Sequence, residues 1–142
     1  MTMKKVAVVY WSGTGNTEAM AHAVIEGAKG AGAEAELFTA SEFTPDKAAG
    51  FDAIAFGCPS MGAEVLEEEE FQPMWDACKG SLAGKKIALF GSYGWGDGEW
   101  MRNWEAECRD AGFNFAAEPL IVNETPDDAG LESCKELGAS LA

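Results

Sequence analysis

"KKVAVVYWSGTGNTEAM", Lys4 to Met20, contains a strand, a loop and the start of a helix in direct succession. Lys4–Tyr10 is rich in β-branched residues and almost unbroken in its apolar character, the pattern of a strand buried on both faces of a parallel sheet. "EAMAHAVIEGAKGAG" then sets Met20, Val24 and Ala28 one helical turn apart. Between the two lies "WSGTGNT", with Gly13, Gly15, the hydroxyls of Ser12, Thr14 and Thr17 and the amide of Asn16, but no lysine or arginine. A nucleoside-triphosphate loop requires G-x-x-x-x-G-K-[ST], which this is not. A dinucleotide loop requires G-x-G-x-x-G; Gly13 and Gly15 fit, but the third position is Glu18, whose carboxylate would meet a pyrophosphate. The loop suits one terminal phosphate, wrapped by backbone N–H groups at the helix start and by neutral side-chain donors. Lys4 and Lys5 begin the same strand ~20 Å away and cannot assist. An ordinary turn capped by Ser, Thr or Asn needs one such donor, not four around two glycines.

Outward from this unit the alternation repeats. "AEAELF" (Ala33–Phe38), "FDAIAFG" (Phe51–Gly57), "KKIALFGS" (Lys85–Ser92) and "FNFAAEPLIV" (Phe113–Val122) read as strands, with Pro119 marking a kink or an edge in the last. "EFQPMWDACKGSL" reads as a helix with Pro73 in its first turns. "EWMRNWEAECRDAG" places Trp100, Trp104 and Cys108 on one stripe and ends at Gly112. "TPDDAGLESCKELGASLA" opens with Thr125 as cap and Pro126 as first helical residue. Buried strands joined by crossover helices predict an α/β three-layer sandwich with a five-stranded parallel sheet of order 2-1-3-4-5. No composition break divides the chain, so residues 1–142 are expected to form a single domain. Ligands of such sheets bind outside the carboxyl ends of the strands, at the switch point between strands 1 and 3. The loops after Tyr10, Gly57 and Gly91 are therefore expected to meet.

In "GCPSMGAEVLEEEEF", Pro59 ends the strand and Met61 opens a turn, where a flat, polarisable side chain can lie on a ring or tuck into the core. Glu64 stands apart from the run Glu67–Glu70 and is placed to accept a ring N–H; the run itself reads as a solvated first helical turn. In "GSYGWGDGEW", Gly91, Gly94, Gly96 and Gly98 interleave with Tyr93 and Trp95, which lets backbone approach a ligand and offers Trp95 as a stacking platform. Trp75, Trp100 and Trp104, at helical spacing, read as core or helix surface, and His22 as a plain helical residue. A phosphate, a polar stem and a flat ring with a polar edge together describe flavin mononucleotide, FMN.

The net charge of −14, from 24 acids and 10 bases, argues against nucleic acid and anionic membrane as partners. No apolar run approaches the ~20 residues of a membrane span, and the N-terminus lacks a cleavage signal. Cys58, Cys78, Cys108 and Cys134 show no C-x-x-C spacing and meet a single histidine, which reads as reduced structural cysteines rather than a metal site.

"VVYWSGTGNTEAMA", "GCPSMGAEVLEE", "KKIALFGSYGWGDGEWM" and "PLIVNETPDDA", in that order and across essentially the whole chain, resemble the flavodoxins. The short-chain form is indicated because the strand from Phe113 to Val122 carries no long insertion. The resemblance implies a flavodoxin-like fold and an FMN-binding, low-potential electron carrier, not an enzyme, cycling mainly between semiquinone and hydroquinone. It implies that Ser12, Gly13, Thr14, Gly15, Asn16 and Thr17 hold the phosphate. Met61 would cover the inner ring face and Trp95 the outer one, with Glu64 accepting from N3–H and Gly62 offering its carbonyl to N5–H of reduced flavin. Ser92, Gly94 and Asp97 would line the pyrimidine edge through backbone groups, with Ser60, Ala63, Tyr93 and Gly96 completing the set. Some relatives carry Asp where this chain has Ala63, so turn energetics do not transfer. A cytoplasmic monomer is implied, with redox partner proteins presenting basic docking faces. The competing expectation is an FMN-dependent NAD(P)H quinone or nitro reductase on the same fold, which needs room over the ring that Trp95 should fill. A phospho-receiver domain would need carboxylates after strand 1 and an aspartate ending strand 3, where Ser12 and Cys58 stand.

Overall fold

The computed structural model describes residues 4–13, 15–60, 66–82, 84–94 and 98–142. Six strands, β1 (Lys5–Tyr10), β2 (Glu34–Thr39), β3 (Ala53–Gly57), β4 (Lys86–Tyr93), β5 (Asn114–Phe115) and β6 (Leu120–Asn123), form one sheet. All pair in parallel, in the order β2-β1-β3-β4-β5, with β6 also on β4. The expected order therefore holds, and the fifth strand is split in two. β4 advances from Ile87 to Phe90 while its partner advances from Phe115 to Leu120, so the chain around Pro119 bulges out of the ladder. A proline has no N–H to give a ladder, which is why the interruption falls there. The surplus is even, so Phe115 and Leu120 still face the layers that Ile87 and Phe90 face.

The helices are α1 (Asn16–Gly30), α2 (Pro45–Ala48), α3 (Phe71–Cys78), α4 (Glu99–Asp110) and α5 (Asp128–Leu141). Successive side chains of a strand point to opposite faces. Val6 and Val8 accordingly join Met20, Val24, Leu137 and Leu141 under α1 and α5, while Ala7 and Val9 join Phe71, Trp75, Trp100 and Trp104 under α3 and α4. The three tryptophans expected at helical spacing are buried in this second layer, where Trp75 and Trp104 meet edge to face with centroids 5.6 Å apart. On the first layer α1 and α5 approach so closely that a Cβ on Gly138 would strike the Val24 carbonyl and one on Gly27 the Lys135 carbonyl.

Two expected helix starts are corrected. Glu67 is not part of a solvated turn: it is 6 % exposed, and its carboxylate accepts from the backbone N–H groups of Glu69 (2.9 Å), Glu70 (2.7 Å) and Phe71 (2.8 Å). It satisfies donors that the start of α3 cannot satisfy itself. Thr125-Pro126 does not cap α5; Asp127 does, accepting from Gly130 N–H at 2.8 Å. The same Thr-Pro signal does work at α2, where Thr44 accepts from Lys47 N–H (3.3 Å) and Pro45 is the first helical residue. That short helix and the 3₁₀ turn Ala40–Glu42 before it had not been anticipated.

Candidate cofactor site

The carboxyl ends of β1, β3 and β4 meet as the topology requires. The β1–β3 ladder is prolonged by Trp11 N–H to the Gly57 carbonyl (3.0 Å), and the β3–β4 ladder by Cys58 N–H to Phe90 O (3.1 Å) and Ser60 N–H to Ser92 O (3.1 Å). Side chains are excluded just beneath. A Cβ on Gly57 would collide with the Phe90 ring and one on Gly91 with the Cys58 carbonyl, itself bonded by Trp100 Nε1 at 3.1 Å.

In the first loop Ser12 Oγ accepts from Gly15 N–H at 3.0 Å. Gly15, at φ 93°, is the left-handed N-cap of α1 and has no side chain to satisfy the helix start. The first N–H groups of α1 have no acceptor within the helix and are available to an anion. Thr17 is buried, and its Oγ1 accepts from Ser92 N–H (3.4 Å), which ties the first loop to the third while leaving the hydroxyl proton uncommitted. Asn16 Oδ1 accepts from the Thr125 hydroxyl (3.2 Å). In the third loop Ser92 Oγ donates to the Glu124 carbonyl (2.7 Å), and the Tyr93 ring packs on Trp100 at 5.7 Å. The backbone N–H and C=O of Ser92 are thus bonded to Thr17 Oγ1 and Ser60 N–H.

These loops enclose a cleft of about 340 Å³. Of the expected residues, Gly13, Asn16, Ser60, Ser92, Tyr93 and Gly94 line it. Ser12 instead borders an adjoining hollow of about 160 Å³ with Tyr10 and Glu18, and Gly15 and Thr17 are not among the residues that line the cleft. Thr14, Met61, Gly62, Ala63, Glu64, Trp95, Gly96 and Asp97 lie outside the described residues. Three lining residues had not been singled out as contacts: Trp11, Pro59 and Glu124. Trp11 carried the same signal as Trp95, an aromatic at the ligand end of a strand. Glu124 carried none, because its place depends on how β6 meets β4. A larger hollow of about 640 Å³ lies at the opposite end of the sheet, bordered by Lys5, Lys29, Glu34, Glu36 and Phe51.

The site's electrostatics are those of neutral donors within an acidic surround. Among the described residues lining the cleft, no side chain is basic. Tyr10 donates to Glu18 Oε2 at 3.2 Å; burial first, and then the Glu18 carboxylate, raises the tyrosine pKa above its ordinary value. Burial pushes the Cys58 thiol, beside the site, up to about 12, so it stays protonated; Cys78, Cys108 and Cys134 are likewise free, buried and raised.

The donor set fits FMN. Ser60 lines the cleft, and its Oγ, covered by protein, has no hydrogen-bond partner among the described residues. The start of α1, a left-handed glycine and Asn16 supply an anion cradle without a cation.

A family model described as flavodoxin matches residues 8–138. The chain belongs to the flavodoxin family. It is 47 % identical to a flavodoxin of Megasphaera elsdenii over 137 residues, covering 96 % of this chain and 98 % of that one. It is 44 % identical to a flavodoxin of Clostridium beijerinckii over 135 residues, covering 95 % and 97 %. The solved solution structure of two-electron-reduced Megasphaera elsdenii flavodoxin superposes with a TM-score of 0.87 at 45 % identity, over 96 % of this chain and 97 % of that one. As a flavodoxin the chain is an FMN-binding electron carrier and not an enzyme. Among the described residues no helix is long and apolar enough to cross a membrane.

Proposed function

We propose that this flavodoxin carries single electrons at low potential between proteins with basic docking faces, as a cytoplasmic monomer, working mainly across the second, more negative couple of its FMN. The supporting observation is the neutral phosphate cradle set in an acidic end of the molecule. Helix starts lie at the carboxyl ends of parallel strands, and the exposed acids Glu18, Glu68, Glu69, Glu70, Glu99, Asp127 and Asp128 stand at or just before the starts of α1, α3, α4 and α5. Lys5 and Lys86 open strands at the other end. Such an arrangement favours encounter through the cofactor end with a positively charged partner.

FMN supplies the one-electron chemistry; the chain binds, orients and shields it. In this proposal Ser12 to Thr17 hold the phosphate, Ser60, Ser92, Tyr93, Gly94 and Asp97 border the ring, Met61 and Trp95 flank its faces, and Glu64, Gly62, Ala63 and Gly96 complete the contacts. Stepwise reduction of the purified yellow protein by dithionite, followed by absorbance, is expected to resolve two one-electron steps. NADPH alone is expected to leave the colour unchanged. Rapid bleaching by NADPH without a partner protein would favour the reductase alternative.

A further inference from the structure

Glu124 is the one non-glycine residue at positive φ (57°) among the described residues. A long side chain has little reason to adopt that conformation unless the surroundings over-determine it. Here they do. Glu124 N–H donates to the Tyr93 carbonyl (2.7 Å), the Glu124 carbonyl accepts from Ser92 Oγ (2.7 Å), and Asn123 Nδ2 reaches the same Tyr93 carbonyl at 3.4 Å. On the other side of Thr125, Pro126 is buried and Asp127 caps α5. Thr125 is therefore an exposed residue whose backbone is pinned in both directions. Its hydroxyl is aimed at Asn16 Oδ1, 109 residues away in the chain.

An asparagine side chain has an acceptor end and a donor end. With Oδ1 occupied by Thr125, the two N–H groups of Asn16 are left for the cleft that the residue lines. We propose that Thr125, delivered by the left-handed turn at Glu124, is a positioning residue for the phosphate cradle, holding the Asn16 side chain with its donors toward the anion. The role rests on the FMN-binding function proposed above and extends it to a residue that does not line the cleft. It also explains why the Thr-Pro pair does not cap α5: the hydroxyl is spent across the site.

The test titrates FMN-free protein with FMN and with riboflavin, following flavin fluorescence, in wild type, Thr125→Val, Thr125→Ser, Asn16→Ala and Thr125→Val/Asn16→Ala. Valine keeps the shape of threonine and removes the hydroxyl; serine keeps the hydroxyl. Thr125→Val is expected to weaken FMN ~tenfold, the worth of about one hydrogen bond, with riboflavin unchanged and Thr125→Ser close to wild type. In the Asn16→Ala background Thr125→Val should cost nothing further. Equal losses for FMN and riboflavin would show a general structural role, and an undiminished loss without Asn16 would show another route. Either result, or an unchanged FMN affinity in Thr125→Val, overturns the assignment. Failure of the wild-type protein to bind FMN would overturn the proposed function itself, a separate outcome.

Discussion

Ser60 Oγ is a buried hydroxyl in a residue at the edge of the cleft. A buried hydroxyl without a partner costs ~1–3 kcal/mol relative to one that is bonded, and Ser60 Oγ has none among the described residues. Stability of the FMN-free protein alone would favour alanine there. Ser60→Ala is expected to stabilise the FMN-free protein by about 1 kcal/mol in urea denaturation. A variant less stable than wild type without FMN would show that the hydroxyl is bonded in solution. Single-residue roles were only partly legible in the sequence. Hydroxyls and glycines marked the first loop, but that Thr17 Oγ1 also accepts from Ser92 N–H, 75 positions away, is a tie no local pattern names.

Elements were more legible than their ends. Strand identity followed from apolar runs, since a strand buried on both faces cannot carry polar residues, and the stripes on α1 and α4 followed from their helical spacing. The cap of α3 was missed because four successive glutamates look alike in sequence while only Glu67 folds inward to cap. Burial, the largest influence on Glu67, pushes its pKa up, but the N–H groups of Phe71, Glu70 and Glu69 outweigh it and hold the carboxyl below its ordinary value. A folded-state pKa below the unfolded one means stabilisation that is present above the unfolded value, near 4.5, and is lost as pH falls through the folded one. Glu67→Gln keeps an acceptor for some of these donors but loses the charge. It is expected to cost about 1 kcal/mol at pH 7, with the difference from wild type shrinking as pH drops below about 4.5. Parallel denaturation curves at pH 7 and pH 4 check this; a difference that stays constant would mean that the charge contributes nothing.

At the scale of the whole molecule, sheet order and the meeting of three loops were legible because right-handed crossovers leave few topologies, whereas the bonds from β6 and its turn across to the site depend on the split of the last strand around Pro119. Charge is likewise a property of the whole. A second electron on bound FMN would add its negative charge inside a protein of net charge −14. A carboxylate ~10 Å from that charge, at an effective dielectric of ~40, opposes it by about 0.8 kcal/mol. Glu124 lines the cleft and Glu18 borders the hollow beside it, and Glu68 to Glu70, Glu99 and Asp127, at or just before the starts of α3, α4 and α5, stand at the same end. At about 1.4 kcal/mol per 59 mV for one electron, a few such groups shift the second couple by on the order of −100 mV, before screening. Salt weakens interactions across solvent over a Debye length of ~10 Å at 0.1 M and ~3 Å at 1 M, so exposed acids lose their influence first. The second potential is therefore expected to lie below that of free FMN and to rise as ionic strength increases from 0.01 to 1 M (about tenfold shorter screening). The first couple, which can take up a proton and leave the flavin neutral, should move much less. Potentiometric titration at several salt concentrations measures both couples in one sample. A second potential that stays flat or falls with added salt would locate its depression in contacts to the ring rather than in the acidic surround.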